Sequence, residues 1–405
     1  MKRCSDGEKI YSVAALERVF KDGDVEFNMS CSDKLAFVEQ LGIDKVIDVC
    51  VTQIRSRPIP LVLSIELVDN IKLAASIKRT RIADTRLGTR LQSNNAATWT
   101  YNRDGVAVLE HGRLLSVCPS DLTLSTMLNG SERYAQRIKS TSPCPADLWT
   151  QDGIIKKAVR YVCTSASKKN TEALSLNRLR VFCMQGHGCR YGTAFPVPIA
   201  MALFRNEAAK LPATTRLCVV DPCAGWGDRL SAAILCDVDY FGMDPWPVSV
   251  ALCARIHTRL GGRDGQRVVR SEGAEHAWPV DNQDAHMVFT SPPYGQLEQY
   301  GVAGPDDARK AQAWQLATDR FAPDFLCPMM QHAYDALRPG GCAIINIADS
   351  THERLISATI AAAELAGFGL ENVFGMSVSV RSTQIHGQSA ARGEPLFVFR
   401  KPLAV

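Results

Sequence analysis

The sequence contains none of the long apolar segments that mark membrane proteins and exported proteins. Its apolar runs all fall short of the roughly 18 residues that a membrane-spanning helix needs. Residues 1–6 also lack the apolar stretch of a signal peptide. We therefore expect a soluble intracellular protein, in the cytoplasm or the nucleus, with no membrane partner.

The chain also lacks the cysteine pairs that hold structural zinc. Its 14 cysteines are scattered and include no Cys-x-x-Cys pair, which favours buried reduced thiols over disulfides or a zinc site. Cys183, His187 and Cys189 come nearest to a metal cluster, but a fourth ligand and the paired spacing are missing. We predict that the protein binds no metal.

A strong excess of positive charge is missing as well. The formal net charge of +4 is only mildly basic and does not by itself indicate a nucleic-acid partner. Basic residues do cluster in two stretches, which could follow a phosphate backbone or form solvated helix faces. The stretches contain Lys72, Lys78, Arg79, Arg81, Arg86 and Arg90, and Lys156, Lys157, Arg160, Lys168, Lys169, Arg178 and Arg180.

What the sequence does contain is a glycine turn between a strand and a helix. The apolar run 217–220 leads into Asp221 and Pro222, a Gly-x-Gly turn follows at Gly225 and Gly227, and residues 230–235 have the composition of a helix. Such a turn lets the backbone approach a ligand, and the helix start offers free amides. The third glycine of a dinucleotide fingerprint and the Gly-Lys-Ser/Thr of a phosphate loop are absent, so a phosphate ligand is disfavoured.

Two acidic residues follow the next predicted strands. Asp244 ends the strand 238–243, about twenty positions after the glycine turn, where a ribose hydroxyl pair is held in doubly wound folds. Its alternative role is a helix cap, because Pro245-Trp246-Pro247 reads as a turn entering a helix. Glu275 follows a third strand, 267–269, and is predicted either to meet the same ligand or to lie in a solvated loop.

A fourth strand, 285–290, delivers Ser291, Pro292, Pro293 and Tyr294 to the same sheet edge. The prolines fix the backbone and remove amide donors, so carbonyls there can accept hydrogen bonds from an amino group while Tyr294 stacks on a planar ring. Holding an exocyclic amine in line with a sulfonium methyl group favours methyl transfer without a covalent nucleophile. Ser291 would bond the amine or cap the following turn.

These motifs resemble those of a known family. Residues 221–227 resemble the S-adenosylmethionine loop of the amino-methylating nucleic-acid methyltransferases, and residues 291–294 resemble their catalytic loop. Residues 290–300 resemble the corresponding segment of DNA methylases of phage and large-virus type. Phe195-Pro196 is similar to the family motif that packs against the methionine end of the cofactor. The resemblance covers residues 185–401. It implies cofactor contacts from Phe195, Asp221, Pro222, Ala224, Gly225, Gly227, Asp244 and Glu275.

The resemblance also implies a substrate. A Ser-Pro-Pro-Tyr loop, with Ser291 where Asp is commoner, is associated in this family more often with cytosine N4 than with adenine N6. We therefore expect DNA as partner, a flipped base, and cytosine N4 favoured over adenine N6. RNA-base or protein-amide methylation and a catalytically inactive partner subunit remain the alternatives. Cys223 lies in the cofactor loop and not in the substrate loop, which favours a packing role over a nucleophile.

The length of 405 residues predicts two domains. We assign residues 185–405 to an α/β domain of class I methyltransferase type, with a Rossmann-like, mostly parallel sheet closed by an antiparallel hairpin. Residues 1–145 are predicted to form a separate α+β domain for target recognition or partner binding, and residues 146–184 a basic connecting segment. Apolar periodicity in the first domain predicts helices at 13–20, 34–41 and 44–54 and a hairpin between residues 98–109 and 112–117.

Overall fold

A computed structural model of the protein describes residues 11–21, 28–55, 99–102, 106–109, 113–115, 134, 142–165, 173–176, 178–179, 182, 195–279, 284–295, 319–349, 354–377, 383–385, 388–390 and 393–403. The chain divides into two compact units, one of residues 1–68 and 129–193 and the other of residues 69–128 and 194–405. The predicted domain roles and the boundaries at 145 and 185 stay predictions.

The first unit is mainly helical. Its helices are α1 (Val13–Lys21), α2 (Cys31–Leu41), α3 (Ile43–Arg55), α4 (Pro145–Trp149) and α5 (Asp152–Thr164), and its short strands β1 (Asn28–Met29) and β5 (Leu174–Ser175) pair antiparallel. The helices predicted at 13–20, 34–41 and 44–54 are confirmed.

The core of this unit is lined by one apolar face of each long helix. In α5 the buried residues Ile155, Ala158, Val159 and Val162 recur at helical spacing. Lys34 is fully buried among them, and its Nζ donates to the carbonyl of Val162, 3.0 Å away. That carbonyl lies in the last turn of α5, where carbonyls lack helical partners, so the ammonium group satisfies the helix end.

The second unit is built on an eight-stranded sheet. Its strands are β4 (Arg113–Leu115), β6 (Cys218–Asp221), β7 (Asp239–Asp244), β8 (Gln266–Arg270), β9 (Ala285–Thr290), β10 (Leu337–Asn346), β11 (Gly369–Ser377) and β14 (Gly393–Arg400). The spatial order is β4-β11-β14-β10-β9-β6-β7-β8. The contiguous strands from β10 to β8 pair parallel, whereas β14 runs antiparallel to both β10 and β11.

Helices cover both faces of this sheet because successive strand residues point to opposite sides. Val219, Met287 and Ile344 pack with α6 (Val197–Ala208), α7 (Asp228–Cys236) and α8 (Pro247–Leu260). Their neighbours Val220 and Val288 pack on the other face with α9 (Cys327–Ala336) and α10 (Leu355–Ala366). The predicted mostly parallel sheet with its closing antiparallel hairpin is confirmed.

The described part of the second unit also contains two small two-stranded sheets. Strands β2 (Trp99–Asn102) and β3 (Val106–Leu109) form a hairpin, and β12 (Thr383–Ile385) pairs with β13 (Gln388–Ala390). The hairpin predicted between residues 98–109 and 112–117 is therefore wrong: the described hairpin forms within 98–109, and β4 joins the large sheet parallel to β11. Among the residues that the structure describes, each helix is too short or too polar to cross a membrane.

Candidate active site

The predicted site residues follow strands that lie side by side. The glycine loop follows β6, Asp244 ends β7, Glu275 lies beyond β8, and Ser291 follows β9. Strands β9, β6, β7 and β8 are neighbours in this order and run parallel, so their carboxyl ends meet at one edge of the sheet. Ligands of open α/β sheets bind at this edge. The fold thus brings the two motifs together although about 70 residues separate them.

Two glycines of the loop meet different surroundings. Gly225 has φ 56° and Gly227 has φ 82°, both in the left-handed region that favours glycine. A Cβ at Gly227 would lie 2.6 Å from Cδ1 of Ile256 and 3.1 Å from Sγ of Cys253, in helix α8. Among the described residues, a Cβ at Gly225 would meet only the carbonyl oxygen of Cys223, at 3.8 Å. Gly227 therefore permits close packing of α7 on α8, whereas the space beside Gly225 is not filled by any described side chain.

The carboxylate of Asp244 ties the glycine loop to the turn before α8. Its Oδ2 accepts from the backbone N–H of Gly225 and its Oδ1 from that of Trp246, each at 2.9 Å. Burial raises the pKa of Asp244 to about 6, against the lowering effect of these two amides. Trp246 is the residue at the N-cap position, so Asp244 braces the turn ahead of the helix and does not cap it. The side chain of Ser249 is a further hydrogen-bond partner of this carboxylate and also lowers its pKa.

Asp221 is fully buried and bonded to protein donors. It accepts from Nε of Arg229 at 2.6 Å, from the hydroxyl of Tyr240 at 2.5 Å and from Oγ1 of Thr290 at 2.8 Å. The backbone N–H of Cys223 adds a further bond at 3.2 Å. These contacts shape the cofactor loop from its buried side, and a direct contact of Asp221 with a cofactor stays a prediction.

Phe195 is held against the start of α7. Its backbone N–H donates to Oδ2 of Asp228 at 3.0 Å, and its ring packs edge-on against Phe289 with 5.3 Å between centroids. The guanidinium carbon of Arg229 lies 5.5 Å from the centre of the Phe195 ring. The motif before α6 is therefore fixed beside the glycine loop.

The other predicted cofactor residues lie in the loops after β6 and β8. Pro222 and Ala224 are buried, and Ala224 donates its N–H to the carbonyl of Met243 at 2.8 Å. The carboxylate of Glu275 folds back over Gly273, where a Cβ would lie 2.4 Å from Oε2. The carbonyl of Glu275 lies 3.3 Å from Nε2 of His332. A cofactor contact from Glu275 stays a prediction.

The Ser-Pro-Pro-Tyr loop begins where β9 ends. Pro292 is buried, whereas Ser291, Pro293 and Tyr294 are half-buried. Tyr294 packs against the apolar cluster on the α9 and α10 face of the sheet. Oγ of Ser291 donates to Oδ1 of Asn346 at 3.3 Å. The loop is therefore held by apolar packing at Tyr294 and by a hydrogen bond at Ser291.

Asn346 is a site residue that the sequence motifs do not reveal. It ends β10 at 2% exposure, and its Nδ2 donates to the carbonyl of Pro395 at 3.1 Å. The signal in the sequence is an amide at the end of the apolar run 342–347, at the edge where ligands collect.

Cys223 remains a thiol. Burial raises the pKa of its side chain well above the usual value, and the carboxylates of Asp221 and Asp244 raise it further. Its side chain packs against the same apolar cluster as Tyr294. The packing role favoured by the sequence agrees with these surroundings.

Two further predictions concern surface and metal sites. Lys156 and Lys157 are exposed on α5, and Arg160 pairs with Asp44 at 2.6 Å. Within the described part of the chain, no three His, Cys, Asp or Glu residues are grouped as metal ligands. Residues 183–189 and the basic stretch 72–90 lie outside the described residues.

The sequence matches no protein-family model and no curated protein. Several solved structures resemble the chain, among them TrmN from Thermus thermophilus, with 17% identity over 51% of this chain and 49% of that chain and a TM-score of 0.33. A TehB-like SAM-dependent methyltransferase from Corynebacterium glutamicum has 17% identity over 50% of this chain and 87% of its own, with a TM-score of 0.31. A putative sarcosine dimethylglycine methyltransferase from Galdieria sulphuraria has 12% identity over 52% and 86%, with a TM-score of 0.36.

The chain has the class I methyltransferase fold. This assignment rests on the strand order and on the antiparallel β14 between β10 and β11. The chain spans about half the length of the Thermus thermophilus protein. Substrate and activity do not follow from a shared fold.

Proposed function

We propose that this chain is an S-adenosylmethionine-dependent methyltransferase acting on an exocyclic amino group of a DNA base, with cytosine N4 favoured over adenine N6. The observation that supports it most is the junction of the two loops. Thr290, the last residue before the Ser-Pro-Pro-Tyr loop, donates to Asp221, the first residue of the glycine loop. The two loops are thereby adjacent, as methyl transfer between a cofactor and a base requires.

The cofactor is assigned to the glycine loop and the end of β7. Among the described residues no side chain fills the space beside Gly225, and the first amides of α7, which begins at Asp228, lack helical partners. The carboxylate of Asp244 would accept hydrogen bonds from ribose hydroxyls. Phe195 would border the methionine end, and the remaining predicted residues would shape the loop. When bound, S-adenosylmethionine supplies a methyl group on a positively charged sulfur.

The substrate is assigned to the loop after β9. The Ser291 hydroxyl oxygen and the Pro292 carbonyl would accept the two N–H bonds of an amine, which turns the nitrogen lone pair toward the methyl group. Tyr294 would stack on the base, as aromatic side chains do in sites for flipped or single-stranded bases. No covalent nucleophile takes part, in keeping with the raised pKa of Cys223.

The target in duplex DNA would have to leave the base stack, because its amine lies inside the helix. We assign recognition of the surrounding sequence to the N-terminal part of the chain. The glycine loop, the acidic residues and the substrate loop follow one another closely, which leaves no large insert in this part for reading a target.

The test uses the full chain with methyl-labelled S-adenosylmethionine and pools of DNA, RNA and protein. We expect label in DNA, recovered as N4-methylcytosine or, second, as N6-methyladenine. Label in RNA alone or protein alone would move the enzyme to another substrate class. Binding of S-adenosylhomocysteine without transfer to any pool would indicate an inactive partner subunit.

A further inference from the structure

We propose that Asn346 is a positioning residue that holds the Ser291 hydroxyl as a hydrogen-bond acceptor, so that the site selects a reacting group that carries N–H donors. This inference rests on the proposed function and deepens it. Asn346 lies outside both sequence motifs, on strand β10. It acts through Ser291 without touching the substrate.

The orientation of the Asn346 amide follows from its partner on β14. The carbonyl oxygen of Pro395 can only accept, so the atom facing it at 3.1 Å must be the amide nitrogen. The opposite side of the amide, which faces Ser291, must then be the oxygen. A flipped amide would set two oxygens against each other.

The orientation of the Ser291 hydroxyl follows in turn. Oδ1 of Asn346 is an acceptor only, so the contact of 3.3 Å to Oγ of Ser291 uses the hydroxyl proton. The bond is longer than the roughly 2.7–2.8 Å typical of O–H···O hydrogen bonds. With its proton committed, Oγ offers lone pairs to a substrate.

The packing around Asn346 keeps this arrangement fixed. Its neighbour Ile345 pairs with Thr290 on β9, and Asn346 itself pairs with Leu396 on β14. The side chain is only 2% exposed, so water does not compete for its two hydrogen bonds. The chain from Pro395 through Asn346 to Ser291 therefore links the closing hairpin to the substrate loop.

A fixed acceptor discriminates between ring substituents. An amino group on the base donates to Oγ of Ser291, whereas an oxo group at the same place would set its lone pairs against those of Oγ. A serine hydroxyl free to rotate would serve both groups, because it can also donate. Asn346 thus restricts the site to amino-bearing bases and rejects their oxo counterparts.

A double-mutant cycle tests the proposal with the DNA substrate that the wild-type protein methylates. We expect Asn346→Ala to lower kcat at saturating cofactor at least about tenfold in the wild-type background, and by less than about twofold in a Ser291→Ala background. Affinity for S-adenosylhomocysteine should not change in either background. If residual activity of Ser291→Ala is too low to measure, the dissociation constant of the same DNA replaces kcat.

The matched control is Gln266→Ala. Gln266 is also 2% exposed, and its amide donates to the carbonyls of Ala233 and Val238, at the start of β8 and away from the site. A substitution that acts only on the structure should lower kcat equally with and without Ser291, as we expect for Gln266→Ala. An equal loss for Asn346→Ala in both backgrounds, or no loss in the wild-type background, would overturn the proposal.

If Asn346→Ala fails to fold, the nearly isosteric Asn346→Asp serves instead. Its carboxyl group should add a titration step to the pH profile of kcat. We expect this step in the background that keeps Ser291 and not in the Ser291→Ala background. A profile altered equally in both backgrounds, or in neither, would also overturn the proposal. Absence of methyl transfer by the wild-type protein would be a failure of the proposed function itself.

Discussion

Thr290 on β9 donates a hydrogen bond to the buried carboxylate of Asp221 on β6, with 2.8 Å between the oxygens. The two residues end neighbouring parallel strands, and each is followed directly by one of the two loops of the candidate site. Because Asp221 also holds Arg229 and Tyr240, the bond ties the Ser-Pro-Pro-Tyr loop to a buried hydrogen-bond network.

Thr290→Val keeps the side-chain shape and removes this bond. We expect a loss of about 1.5 to 3 kcal/mol in the free energy of unfolding, the range for a hydrogen bond to a charged group. Methyl transfer should slow about tenfold, or 1.4 kcal/mol, while cofactor affinity stays within about twofold. Denaturant unfolding and single-turnover rates measure these effects.

The control for Thr290→Val is Thr359→Val. Thr359 is a buried threonine in α10 that bonds the carbonyl of Leu355 at 2.8 Å. Loss of this hydrogen bond should lower the free energy of unfolding by about 1 kcal/mol and leave the methyl-transfer rate unchanged. An unchanged rate in Thr290→Val would break the proposed link between the loops.

Asp244→Ala should weaken cofactor binding by about 1.5 to 3 kcal/mol, because the carboxylate is assigned to the ribose hydroxyls. Calorimetry with S-adenosylhomocysteine measures the change. The matched variant is Asp239→Ala, at the other end of the same strand, where the carboxylate pairs with Arg263. Equal affinity in a folded Asp244→Ala protein would remove Asp244 from the site.

Cofactor affinity should rise with pH between about 5 and 7. Burial raises the pKa of Asp244 from 3.8 to about 6, and its ionised form is the better acceptor for ribose hydroxyls. The raised pKa also means that the contribution of Asp244 to stability is full below about pH 4 and is lost as the pH rises through about 6.

The pH dependence is measured by calorimetry from pH 5 to 8 on the wild-type protein and on Asp244→Asn. The variant should lose the rise in affinity, because its side chain does not titrate. Identical profiles in the two proteins, or affinity that falls as the pH rises, would show that Asp244 does not control binding.

Replacing each of the two loop glycines by alanine should have a different main effect, on stability in one case and on cofactor affinity in the other. Both alanine variants strain a left-handed backbone, by roughly 1 to 2 kcal/mol. Gly227→Ala also drives a Cβ to 2.6 Å from Ile256, so it should lose a further 1 to 3 kcal/mol or so of stability. Gly225→Ala meets no such neighbour in the described part of the chain, and we expect its larger effect on cofactor affinity. Thermal unfolding measures the stability of both variants, and calorimetry measures their cofactor affinity. A larger loss of stability in Gly225→Ala together with a larger loss of affinity in Gly227→Ala would contradict this prediction.

The sequence predicts the parts of the site that depend on local pattern. Strands, glycine turn, Asp244 and the Ser-Pro-Pro-Tyr loop follow from periodicity and spacing, and the parallel sheet then brings them to one edge. Partners far apart in the chain leave no local trace. The bonds from Thr290 to Asp221 and from Ser291 to Asn346 join residues 69 and 55 positions apart. The pairing of β4 with β11 and the packing role of Gly227 against α8 were missed for the same reason.

The most direct test of the account is nucleoside analysis of DNA treated with the wild-type protein, Tyr294→Phe and Tyr294→Ala. The wild-type protein should yield N4-methylcytosine, or failing that N6-methyladenine, and Tyr294→Phe should stay within a few-fold because the stacking ring remains. Tyr294→Ala should bind S-adenosylhomocysteine normally but transfer at least about tenfold less methyl, or 1.4 kcal/mol of transition-state stabilisation. Full activity of Tyr294→Ala, or methyl groups in RNA or protein only, would contradict the account.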